Sequence, residues 1–321
     1  MDTTRQITRQ GAAAPQRFYT AHAQSPPNTA FGTDSQGAGA NYRPAGQRGR
    51  PRHQTVLPPA GKAPEQHNHN VVVLTSPSGG IGLSVFGAML AWELRLRGMA
   101  SVMVDADFRA GGLDVLLGIE GEEGSRFGAV DAPLGVVDGE SLNRDLPRWE
   151  DVGVLAFDPW NSSAPEWWET QAAIRALAEV NDVVVVDAAD GAVLDVVPSL
   201  ARSHHVMAIE LSVLGLARAK AHMARIEALD TGGRNAVVRK DSLLVVGMQP
   251  HDLRGGVGSL SVHEAAEYLS CEVIGPIRSS KRLQRSLLDG AGIRRLGMGS
   301  AGSVRLLAER IKASLAKGGQ L

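Results

Sequence analysis

The chain has 321 residues, 43% of them hydrophobic, with 33 Lys plus Arg against 34 Asp plus Glu. That is ample apolar material for one large or two small domains. A single cysteine, Cys271, excludes an intrachain disulfide; no apolar run reaches the ~18 residues of a membrane span, and MDTTRQITRQ has no signal-peptide core.

The charge is unevenly spread. Residues 1 to 69 carry eight basic residues, five of them between Arg43 and Lys62, against the acids Asp2, Asp34 and Glu65; this stretch is therefore +5 and the remainder, from a total of −1, is −6. It is rich in Gln, Ala, Gly, Pro and Arg and has no helical or strand period, so it is expected to be a disordered tail. Its run RPAGQRGRPRH suits weak, salt-sensitive contact with anionic lipid or DNA, against the simpler reading of a solvated tail.

From Val71 onward short apolar runs alternate with helical stretches. In chain order the predicted elements are the strand VVVLTS (71–76), a helix over 84–98, the strand SVMVDAD (101–107), the strand VGVLAFDP (152–159), a helix over 165–180, the strand DVVVVDAAD (182–190) and a helix over 193–201. Then come the strand HVMAIEL (205–211), a helix over 214–229, the strand SLLVVGM (242–248), a helix over 261–270, the strand CEVIGPI (271–277) and helices over 279–288 and 303–317. Strands that are β-branched and nearly continuously apolar are buried on both faces. The expected fold class is α/β, a mainly parallel sheet with helices on both faces, in one domain over residues 70–321. Cys271 reads as a small core residue of its strand, and the chain is expected in the cytoplasm.

Ligands of open parallel sheets bind beyond the carboxyl ends of the strands. Three strands end there in chemically loaded loops. The first is Ser76-Pro77-Ser78-Gly79-Gly80-Ile81-Gly82-Leu83-Ser84, followed by Val85 in the helix. Glycines let successive N–H groups turn inward as an anion nest, and the helix adds the positive end of its dipole. Against the P-loop pattern G-x-x-x-x-G-K-[ST], only Gly82 and Ser84 match; Pro77 replaces the first glycine and Leu83 the lysine.

The second loop, Asp105-Ala106-Asp107-Phe108-Arg109-Ala110-Gly111-Gly112-Leu113-Asp114, opens with two carboxylates one residue apart. Such a pair can hold a metal-bound water and orient an attacking water; the alternative, an aspartate capping the short helix LDVLLG, fits Asp114 better than Asp105 or Asp107. The third is Asp187, which follows four valines and precedes Ala188-Ala189-Asp190-Gly191. An acid so placed can hold water on Mg²⁺.

These three loops, in this order, resemble the ParA/MinD superfamily of deviant-Walker P-loop ATPases. The family loop K-G-G-x-G-K-[ST] falls on Ser78-Gly79-Gly80-Ile81-Gly82-Leu83-Ser84, its switch I D-x-D on Asp105-Ala106-Asp107, and its Walker B aspartate on Asp187. DADFRAGGLDVLLGIE and the lysine-poor loop look most like the CpaE/TadZ-like branch and the actinobacterial septum-site-determining proteins that resemble it. The resemblance implies ATP or ADP held by residues 78 to 85, with Ser84, Asp105 and Asp187 at Mg²⁺ and Asp107 and Asp187 in the catalytic positions. It also implies a homodimer, division or pilus-secretion proteins as partners, and a place at membrane, septum or pole.

The departures point away from turnover. Both family lysines, at 78 and 83, are uncharged here, and the adenine-side asparagine is absent from Val246-Gly247-Met248-Gln249-Pro250. Losing one donor aimed at transition-state charge costs roughly 10²–10³ in rate. The expectation is a spatial regulator with weak or absent hydrolysis; the alternative is a working ATPase cycling between an ATP-bound dimer and a monomer. Arg109 is a candidate for positive charge supplied from the switch side, against the simpler reading of a solvated surface arginine. A bacterial tyrosine kinase, suggested by D-x-D-x-R, is set aside because the chain has neither the P-loop lysine nor a carboxyl-terminal tyrosine cluster.

Three further features have plainer readings. Trp167 and Trp168 are expected to pack or to face a partner rather than stack on bases, and His204 and His205, adjacent on a strand, cannot share a metal. The stripe Val304, Leu307, Ile311 and Leu315 is expected to dock on the sheet, although MinD-type proteins end in a membrane helix. The loop HDLRGGVGSL, residues 251 to 260, is expected to be mobile.

Overall fold

The computed structural model describes residues 69–229, 243–250, 259–278, 280–293 and 298–316, all within one compact unit, Leu57–Leu321. The tail expected over residues 1 to 69 lies outside them except for His69, as do residues 251–258 of the glycine-bearing loop.

Among the described residues the chain runs β1 (Val71–Thr75), α1 (Leu83–Leu96), β2 (Ser101–Asp105), α2 (Leu113–Leu117), α3 (Gly139–Arg144), β3 (Arg148–Trp149), β4 (Val152–Leu155), α4 (Trp167–Val180) and β5 (Val183–Asp187). It continues through α5 (Pro198–Ala201), β6 (His204–Glu210), α6 (Val213–Leu229), β7 (Leu243–Met248), α7 (Val262–Leu269), β8 (Val273–Ile277), α8 (Lys281–Leu288) and α9 (Met298–Ala316). The strands form one sheet in the order β3-β4-β2-β5-β1-β6-β7-β8, parallel except for β3. All seven expected strands are present.

The valine runs explain the centre of this sheet. Every residue of β1, β2 and β5 is buried, and alternate side chains enter two cores. Val72, Leu74, Met103 and Val185 meet Phe86, Leu90 and Leu94 of α1 and Val304, Leu307 and Ile311 of α9. Val71, Val73, Val104, Val184 and Val186 meet Ile174 and Leu177 of α4 on the other face. The stripe on α9 is therefore a docking face, as expected. The buried Glu93 adds a polar tie there, pairing with Arg97 of its own turn and Arg305 of α9, while Arg97 also reaches Glu309 at 2.7 Å. Cys271 stands just before β8, partly buried against a third cluster formed by Met207, Ile209, Leu216 and Ala265.

Local chemistry accounts for the differences from expectation. β3 was not anticipated because its turn, Glu150-Asp151, lacks the glycine of a tight hairpin; both residues adopt positive φ, 49° and 65°, as such a turn requires. The helix expected over 193–201 divides into a 3₁₀ turn, Ala192–Asp195, and α5, because Val197 precedes Pro198 and is held outside the helical region at φ −115°, ψ 87°. α3 is too short to show a period. It is set by Asp138, whose carboxylate accepts the N–H groups of Glu140 and Ser141. No helix among the described residues is long and apolar enough to cross a membrane.

Candidate functional site

From β1 the chain winds first toward β2 and β4, then returns through β5 and builds β6, β7 and β8 on the opposite side. The reversal opens a crevice at the carboxyl ends of β1, β5 and β2, the place where open sheets hold ligands. A cavity of about 580 Å³ lies there, walled by the loops after these three strands. All eleven residues assigned to the site from sequence, Ser78 through Val85 with Asp105, Asp107 and Asp187, line it.

The first loop is set by a serine turn. Ser76 Oγ accepts the N–H of Ser78 at 3.1 Å and donates to the Ser78 carbonyl at 2.8 Å. The Ser76 N–H donates to the Ala189 carbonyl at 2.8 Å, which fastens this loop to the one after β5. Gly82 then stands at the N-cap of α1 with φ 92°, a conformation only glycine adopts without strain, and offers no side chain to the first-turn N–H groups. A helix end of this kind carries about +0.5 of a charge. Added Cβ atoms on Gly79 or Gly80 would meet nothing within 4 Å, so the nest faces open space. Ser78 is buried, with its Oγ lacking a partner. Leu83, only 8% exposed, has its side chain in the apolar cluster under α1.

Opposite the nest lie the carboxylates. Asp105 and Asp187 are in register at the ends of the adjacent strands β2 and β5, both almost fully buried. Asp105 accepts the N–H of Asp107 at 3.1 Å and of Leu113 at 3.2 Å. Burial, and after it the charge of Asp187, pushes Asp105 up to about 7. Burial likewise raises Asp187, opposed by the Ser84 hydroxyl and by the Ala189 N–H, which donates at 3.2 Å. Asp107 is half-buried and accepts the N–H groups of Arg109 and Ala110, each at 3.2 Å.

This pair makes folding pH-dependent. Between 3.8 and about 7 the folded chain keeps a proton on Asp105 that the unfolded chain has released, so stability falls as pH rises through that window. Asp187→Asn removes one of the two repelling charges. We expect the variant to unfold at a higher temperature than wild type at pH 8, by a margin on the order of 1–2 kcal/mol, and the margin to vanish as pH falls to 5. Thermal unfolding followed by circular dichroism without divalent cations reads this out; a margin independent of pH would count against the coupling.

Not every sequence reading of the site holds. Asp114 is not the N-cap of α2: Gly112 occupies that position, and Asp114 sits in the first turn, where it accepts the N–H of Val115 at 2.9 Å and pairs with Arg126 at 3.3 Å, while Asp105 accepts the N–H of Leu113 at 3.2 Å. Asp105 thus does part of the capping assigned to Asp114. His204 and His205 bond to different carbonyls, of His69 and Ala201, in keeping with opposite faces. Trp167 and Trp168 pack edge to face at the start of α4. Asp190 and Arg225 were not singled out; the first lines the cavity, and the second donates to the carbonyls of Asp190 and Gly191 at 2.9 and 3.2 Å. Arg225 lies 35 residues further on, and no local spacing connects it to the loop.

The residues present fit a phosphate group: main-chain donors at an uncapped helix end, an unpartnered Ser78 Oγ and open space above the glycines. Among the described residues no three His, Cys, Asp or Glu side chains converge as a ready metal site. A hard cation here would draw most of its ligands from phosphate oxygens and water, with Ser84 and the carboxylates behind them.

No family model matches the sequence, and no curated protein matches it. Solved structures match by fold. The MinC:MinD cell division protein complex of Aquifex aeolicus aligns with TM-score 0.59 at 18% identity, over 76% of this chain and 96% of that one. A ParA family ATPase from Chlorobium tepidum TLS gives 0.58 at 17%, over 75% and 99%. The septum site-determining protein MinD complexed with Mg-ADP from Pyrococcus horikoshii OT3 gives 0.53 at 16%, over 78% and 99%. With its mainly parallel sheet and its cavity at the strand ends, this chain has the fold of the MinD and ParA ATPases.

Proposed function

We propose that this chain is a spatial regulator of the septum-site-determining, CpaE-like kind, which positions division or pilus-secretion machinery and hydrolyses nucleotide weakly or not at all. The observation that carries the reading is Leu83: the position where the resembling ATPases keep a phosphate-binding lysine holds a buried leucine packed into the core under α1. Ser78, at the second lysine position, is also uncharged and buried.

The cradle itself supports nucleotide binding. We assign the N–H groups of Gly79 to Val85 to the phosphates, Ser84 with Asp105 and Asp187 to the surroundings of Mg²⁺, and Asp107 and Asp187 to the places where a hydrolysing relative orients water. Mg²⁺, when bound, supplies charge neutralisation between the phosphates and these acids. A neighbour by fold is recorded with Mg-ADP and another with MinC, which supports ADP or ATP as ligand and division proteins as partners; a second copy of the chain belongs to the same proposal. Action at a septum or pole follows from that reading.

Phosphate release from ATP with Mg²⁺, measured beside Asp187→Ala, tests the proposal. We expect both proteins to match the buffer control. Turnover on the order of one per minute or faster, lost in Asp187→Ala, would place the chain among working ATPases instead.

A further inference from the structure

We infer that Arg109 is the phosphate-binding cation of this cavity, held in reserve by Asp190 until an anion displaces it. The inference rests on the proposal that the nest at α1 takes a phosphate group, and it names the side chain that replaces the absent lysines.

Charge requires such a group. The charged residues lining the cavity are Asp105, Asp107, Asp187, Asp190 and Arg109, so Arg109 is the one cation among the described lining residues. Main-chain donors and half a unit of helix charge are set against several carboxylates; a diphosphate entering that field needs a mobile cation on the protein side. The unpartnered Ser78 Oγ in the same cavity independently marks a place for a polar ligand.

The geometry suits a reserve. Asp107 accepts the N–H groups of Arg109 and Ala110, fixing the main chain from which the guanidinium extends. Arg109 Nη1 donates to Asp190 at 3.0 Å, its one side-chain hydrogen bond among the described residues, out of five donors available to a guanidinium. The pair is exposed, at 76% and 56%, and exposed pairs are weakly held. A phosphate offers the same guanidinium more charge and two parallel acceptors, so it competes well. Asp190 does not depend on the pairing for its position, because Arg225 holds the Asp190 and Gly191 carbonyls and reaches Asp195 as well. Arg109 can therefore leave Asp190 without the loop collapsing.

The ligand class is a diphosphate, free or esterified. Calorimetric titration of the full chain with ADP and with inorganic pyrophosphate, each with Mg²⁺, tests the assignment in wild type, Arg109→Ala, Arg109→Lys, Asp190→Asn and the Arg109→Ala/Asp190→Asn double variant. We expect Arg109→Ala to weaken binding about ten-fold or more, Arg109→Lys to recover part of it, and Asp190→Asn to tighten binding several-fold. In the double variant the gain from Asp190→Asn should disappear, which a purely structural pair would not produce. Pyrophosphate matching ADP assigns the contacts to the diphosphate alone; ADP binding more tightly assigns them to a nucleotide; both support the inference. Unchanged affinity in Arg109→Ala, equal weakening in Arg109→Ala and Asp190→Asn, or a wild type that binds neither probe would overturn it. Phosphate release from ATP in the same samples reports separately: turnover defeats the regulator reading and leaves Arg109 in place, while absent binding without turnover does the reverse.

Discussion

Leu83→Lys is expected to raise ATP turnover by roughly 10² above the wild-type background and to tighten Mg-ATP binding by about ten-fold or more. The expectation follows from what surrounds the position. Leu83 lines the cavity as well as touching the core, so a lysine can leave its stem among Phe86 and its apolar neighbours while the ammonium enters the cavity. There it meets Ser84, Asp105 and Asp187 already arranged around the strand ends. Part of the leucine's burial is lost, at a cost of about 1–2 kcal/mol, so the variant should unfold at a lower temperature than wild type. Leu83→Met keeps the bulk without the charge and should change neither turnover nor affinity. Phosphate-release assays and thermal unfolding of the three proteins check this. A folded Leu83→Lys chain that neither binds more tightly nor turns over would mean that the site has lost more than its lysine.

The fold was legible in the sequence because burial leaves a strong trace. Val71 to Leu74 and Val183 to Val186 are buried on both faces and read as such directly. Elements held by one or two polar contacts were not legible. β3 depends on two residues accepting positive φ without a glycine, and α3 on a single aspartate cap, and neither leaves a period. The site shows the same division. The nest follows β1, and the two buried carboxylates are the last residues of β2 and β5, so their positions come with the strands. Asp190 and Arg225 act by closing distances between loops and helices far apart in the chain, 81 residues for Arg109 to Asp190, and only tertiary structure reveals those pairings. Leu83 is the instructive case: its identity was plain, but the sequence did not say whether that side chain entered the cavity or the core, and it does some of each.

Gly111→Ala is expected to destabilise the chain by about 2–4 kcal/mol, lowering the unfolding temperature by roughly 4–16 °C. Gly111 lies at φ 59°, and a Cβ there would stand 2.5 Å from the Phe157 carbonyl oxygen and 2.9 Å from Pro159 Cδ. The carbonyl cannot retreat freely, because it accepts the N–H of Gly112 at 3.2 Å. Left-handed backbone costs an alanine roughly 1–2 kcal/mol, and the close approach adds the rest. Gly112→Ala separates the two contributions: Gly112 is also left-handed, at φ 82°, but a Cβ there meets nothing within 4 Å, so it should show the conformational cost alone. The two unfolding curves, recorded side by side, check this; equal losses would mean that the approach to Phe157 is not close. The contact matters beyond stability, because the Phe157 N–H is a third donor to Asp105 and Gly111 closes the turn that begins at Asp107. Whatever moves Gly111 away from Phe157, in the segment after β4, loosens the buried carboxylate and the base of Arg109 together, so residual Gly111→Ala protein should bind diphosphate more weakly than Gly112→Ala protein.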